Sequence, residues 1–131
     1  MQVVDDRAWP LVRLTVPKVI ADDEADAVIA ALEAVVARGS RFALIFDGPE
    51  RPEASPRFDR LYREWSRRRR GDLGRLVLGA VRIERDETRR RAMLGTMLDA
   101  ALAAIMPYPF KVVGSEAEAQ QMAEAWLAAG K

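Results

Sequence analysis

The spacing of hydrophobic positions changes period several times along this chain. Val3-Val4 and Leu11 to Val16 are short β-branched runs flanking Arg7-Ala8-Trp9-Pro10, which predicts two strands, 2–5 and 11–16, joined by a turn. From Ala25 the apolar residues take helical spacing (Ala25, Val28, Ile29, Leu32, Val35, Val36). An acidic Asp22-Asp23-Glu24 start suits the helix dipole, and Gly39 is a natural residue just past the helix end. Phe42 to Phe46 is apolar without a break, as in a strand buried on both faces. It stops at Asp47-Gly48-Pro49. Ser55-Pro56 then opens a second helix, with Phe58, Leu61, Tyr62 and Trp65 on one face and an expected end at Gly71.

Arg75 to Ile83 predicts another strand, central at Leu76-Val77-Leu78 and half exposed at Val81-Arg82-Ile83. Asp86 is placed to cap a third helix with the stripe Leu94, Met97, Leu98, Ala101, Leu102 and Ile105, closed by Pro107 and Pro109. Phe110 to Val113 is a last short strand. Ser115 and Glu118 form a capping-box pair for a fourth helix with Ala119, Met122, Ala123 and Trp126 inward. The order β-β-α-β-α-β-α-β-α predicts an α/β fold: a mostly parallel sheet with an antiparallel N-terminal strand, built as one domain over 1–131.

Composition changes the picture through what is missing. The chain has no cysteine and no histidine, which excludes disulfides, thiolate chemistry and the commonest general base. It carries no nucleophile elbow, P-loop, glycine-rich dinucleotide turn or zinc motif. No catalytic residue, metal site or cofactor is therefore expected. No apolar run reaches transmembrane length and Asp5, Asp6 and Arg7 interrupt the N-terminus, so the expected location is cytoplasmic.

The formal net charge of +1 conceals an uneven distribution. Residues 57–91 hold thirteen arginines against six acids, whereas residues 1–35 hold seven acids against three bases. Two clusters stand out, Arg67-Arg68-Arg69-Arg70 at the expected end of the second helix and Arg89-Arg90-Arg91 in the first turn of the third. The plain reading of the first is a solvated helix end, where the dipole favours cations. Either cluster is also a basic surface suited to an anionic membrane or an acidic protein. A sequence pI near 8.1 and the absence of a recognition motif argue against nucleic acid.

Asp47 leaves the sheet at the carboxyl end of a buried strand, the usual side for ligands in an open α/β sheet. Its local role is to cap the Gly48-Pro49 turn. Ser55 serves equally as the N-cap of the second helix. The charged loop between them makes Asp47, Glu50, Arg51 and Ser55 a candidate partner or ligand loop. Met93 and Met97, one turn apart, would line an adaptable apolar surface.

Three stretches, RFALIFDG, RLVLGAV after a basic helix, and the ending PYPFKVVGSEAEAQQMAEAWL, together with the element order, resemble the STAS fold and more closely SpoIIAA-like proteins. The resemblance spans nearly the whole chain. It implies a non-enzymatic regulatory domain that binds a protein partner and can dimerise, with Ser55 at the position of the phosphoacceptor. Ala54 and Pro56-Arg57 replace the acid and the Ser-Gly pair that flank that acceptor in the classical pattern. SpoIIAA-like proteins also suggest the alternative of peripheral binding to an anionic membrane or to a small apolar ligand.

Overall fold

The computed structural model describes residues 3–49, 52–97 and 107–130. In chain order the strands are β1 (Val4–Asp5), β2 (Leu11–Thr15), β3 (Val19–Ile20), β4 (Phe42–Asp47), β5 (Glu53–Ala54), β6 (Val77–Ile83) and β7 (Phe110–Val113). The helices are α1 (Ala25–Ala37), α2 (Pro56–Leu76), α3 (Glu87–Met97) and α4 (Glu116–Ala129). Five strands form one sheet in the order β1-β2-β4-β6-β7. The β1–β2 pair is antiparallel and every other neighbour in that sheet is parallel. The fold is therefore α/β with a mixed sheet, as the alternation of periods predicts.

Crossovers of one hand between successive parallel strands put their helices on one face. Consistent with this, α1 and α2 deliver Val35, Val36 and Trp65 to a core with Val12, Leu14, Phe42, Leu44 and Ala80. The opposite face is covered by α4, whose Ala119 and Ala123 pack on Ala43, Ile45, Val81 and Ile83. Alternation along β4 explains the split, since Phe42 and Leu44 point one way and Ala43 and Ile45 the other. All four are buried, and burying a residue such as Phe42 or Ile45 is worth about 1.5–3 kcal/mol.

Most local signals operate as expected. Ser55 Oγ accepts the Phe58 N–H at 3.1 Å, Ser115 Oγ accepts the Glu118 N–H at 3.2 Å, and Asp86 accepts the Arg89 N–H at 2.8 Å. Gly39 adopts φ +70° just past α1. Four features differ. Asp22–Glu24 form a single 3₁₀ turn, and α1 proper begins at Ala25. Helix α2 does not stop at Gly71. It continues through Gly74 to Leu76, because Leu73 and Leu76 reach the core, and that burial offsets the roughly 1 kcal/mol each helical glycine costs. Strand β6 accordingly starts at Val77, and its far end is buried rather than half exposed. Finally, β3 and β5 pair as a separate two-stranded parallel ribbon, Val19 with Glu53 and Ile20 with Ala54. Of the stripe expected on the third helix, Leu94 is 43% exposed, while Leu98, Ala101, Leu102 and Ile105 lie outside the described residues. Among the described residues no helix is long and apolar enough to cross a membrane.

Candidate functional site

The carboxyl ends of β2, β4 and β6 meet at Asp47-Gly48. The Val16 N–H donates to the Asp47 carbonyl at 2.9 Å, which brings the β2 end against the turn. Gly48 has φ +91°, and a Cβ there would stand 2.2 Å from the Val16 carbonyl oxygen. Only glycine fits. The Asp47 carboxylate accepts the Gly48 N–H at 2.8 Å, which is the turn-capping role expected of it. It also accepts both terminal nitrogens of Arg85, at 3.1 and 3.3 Å. Glu116 extends this network by pairing with Arg13 and standing 4.0 Å from Arg85.

The hydrogen bond from Arg85 is the chief cause that holds the Asp47 carboxyl below its ordinary range, opposed by partial burial. Because the folded value is the lower one, the ion pair stabilises fully above the unfolded pKa near ~3.9, and that stabilisation is lost as pH falls through the folded value. The stability difference between wild type and Asp47→Asn is therefore expected to hold steady from about pH 5 to 8 and to shrink below about pH 4. Urea unfolding across that range measures it. A difference that stays constant down to about pH 2 would mean the carboxylate's charge contributes nothing.

The next turn of the sheet carries the residue that matters most. Arg82 is 7% exposed. Cross-strand register places it between Phe46 of β4 and Val112 of β7, with Leu14 of β2 beyond Phe46. It is a cation in the middle of an apolar row on the face covered by α1–α3. Its Nη2 donates to the Gly48 carbonyl at 2.5 Å, and its Nε is buried with no hydrogen-bond partner. Among the described residues no carboxylate pairs with it.

That row floors a groove of about 1440 Å³ bounded by the sheet and by residues of α1, α2 and α3. Small-molecule sites generally span about 300–1,000 Å³. Polarity within it is lopsided. Arg82, Arg89 and Asp59 contribute to the lining near the strand carboxyl ends, whereas Val35, Val36, Phe42, Trp65 and Leu73 form the far end. The Trp65 indole N–H is already used, donating to Glu33 at 2.9 Å. Tyr108, also in the lining, has its phenol pushed up chiefly by burial and further by neighbouring Tyr62, so it stays neutral.

Several of the residues singled out in the sequence are engaged in structural contacts. Ser55 is partly buried with its oxygen in the α2 cap, and Glu50 and Arg51 lie outside the described residues. Arg67 to Arg70 sit inside α2, not at its end, and Arg69 turns to the protein, pairing with Glu33 of α1 and Asp72. That contact lowers the Glu33 pKa, with Arg69 the main cause and Trp65 the second. Arg67 and Arg68 are exposed. The second cluster follows β6, in the first turn of α3. There Arg90 donates to the Glu84 carbonyl at 3.0 Å, Arg91 pairs with Glu87, and Arg89 lines the groove. Arg69 and Arg91 are thus spent on ion pairs within the protein. Arg82 is what the sequence reading missed. Its one signal was parity: it shares a face with Ala80 in a strand whose neighbours are all apolar. Among the described residues no group of acids is placed to hold a metal ion.

Compared with known proteins, the chain matches no protein-family profile, no curated protein and no solved structure.

Proposed function

We propose that this protein is a non-catalytic binding module whose groove between the sheet and α1–α3 takes a small, largely apolar molecule. The observation that carries this reading is the groove itself, about 1440 Å³ with an apolar lining concentrated at one end. A chain without histidine or cysteine lacks the usual acid–base and nucleophilic side chains, which supports binding over turnover. Placement in the STAS/SpoIIAA-like group belongs to the same proposal. What supports it is the element order around the five-stranded sheet, two strands followed by alternating helices and strands.

The test uses a neutral fluorophore, N-phenyl-1-naphthylamine, titrated into the full chain. Saturable binding at one site is expected, with energy transfer from Trp65. A rise in unfolding free energy approaching about 2.7 kcal/mol is expected at a hundredfold excess over Kd. A titration without saturation or thermal shift would remove the reading.

A second reading, a regulatory domain with a protein partner, draws support from the edge position of β7, whose backbone pairs only with β6 among the described residues. Capture of a specific protein that depends on Ser55→Glu would favour it.

A further inference from the structure

Resting on the groove as a small-molecule site, we propose that its ligand is a single-chain amphiphile with a carboxylate head, and that Arg82 holds that head. The groove supplies both halves of such a molecule. Arg82 is buried, presents the fork of donors of a planar guanidinium, and spends one donor on the Gly48 carbonyl. Its Nε has no acceptor. A buried guanidinium with no anion beside it is unfavourable, and an arriving carboxylate satisfies it with charge-assisted bonds suited to the planar fork. One buried cation with no paired carboxylate among the described residues calls for one negative charge.

The rest of the lining selects the body of the ligand. Beside Arg82 the partly buried Phe46 and Phe110 continue the lining, with Tyr108 and Leu73 also lining the groove. Val35, Val36, Trp65 and Leu73 close the far end, and none presents a charge. Arg89 adds positive charge at the head end, where Asp59 is the one acid among the described lining residues. Polarity at one end and hydrocarbon contact along the remainder match a long-chain carboxylate. A neutral or centrally polar ligand would leave Arg82 unanswered.

The measurement is displacement of N-phenyl-1-naphthylamine by hexadecanoate and by its methyl ester, which share a chain and differ in charge. Wild type should prefer the acid by at least about tenfold. In Arg82→Met the preference should fall to near one, while the ester binds within about threefold of wild type. Arg82→Lys should keep part of the preference, since it retains charge and loses the fork. Equal affinity for acid and ester in wild type overturns the proposal, as does a preference that survives unchanged in either variant. If Arg82→Met does not fold, the wild-type ratio and Arg82→Lys decide alone. Dye that binds but is displaced by neither compound overturns the amphiphile and leaves the groove reading intact. Dye that does not bind removes the groove reading beneath it.

Discussion

Gly48→Ala is expected to cost about 2–4 kcal/mol of stability, measured by urea unfolding. Two effects combine at that position. Its φ of +91° disfavours any side chain, and a Cβ would meet the Val16 carbonyl oxygen at 2.2 Å, a backbone atom that cannot rotate away. Gly39 supplies the control, because its φ is also positive, at +70°, yet nothing lies within 4 Å of a Cβ there. Gly39→Ala should therefore show only the conformational cost, about 1 kcal/mol. If the two substitutions prove equally mild, the contact between the turn and Val16 is not the constraint proposed. Gly48→Ala should also disturb the groove, since the Gly48 carbonyl is the acceptor that positions Arg82.

The second large effect is expected on the opposite face. Gly79 of β6 lies under the Trp126 indole, and a Cβ would fall 2.4 Å from the ring. Gly79→Ala pushes the ring off the sheet and should destabilise by about 2–3 kcal/mol. Trp126→Ala alone removes a large, partly buried contact and should cost about 2 kcal/mol. With the ring gone, the added methyl finds room, so the double variant should be more stable than the sum of the two by at least about 1 kcal/mol. Additive effects would show that the ring moves freely, and α4 would then not be clamped to β6 by this pair.

Features legible in the sequence share a short range. Ser55, Asp86 and Ser115 each satisfy a backbone N–H three residues away, and Gly39 ends α1 through its own φ. Such contacts form within one turn of chain, so residue type and spacing suffice to read them. The same holds for Phe42 to Ile45, whose unbroken apolar run leaves no face for water. Asp47 belongs partly here. Its turn-capping bond to Gly48 is local, but its pairing with Arg85 spans 38 positions and follows from strand order.

What the sequence read wrongly or left open depended on partners far along the chain. Gly71 looks like a helix stop by propensity, yet α2 passes it because Leu73 and Leu76 gain more by packing than two glycines lose. The β3–β5 ribbon pairs residues 34 positions apart, with only two residues in each strand to signal it. Arg69 looks like one of four solvated cations until α1 brings Glu33 beside it.

The sequence by itself determined the succession of strands and helices, the caps, and the absence of histidine and cysteine chemistry, because each is written in residues adjacent or one turn apart. The tertiary structure decided which charges are free. It spent Asp47, Arg69 and Ser55 on structural contacts and buried Arg82 with no paired carboxylate among the described residues. The physical reason is that burial and ion pairing depend on which strands become neighbours, and that is set by packing of the whole chain.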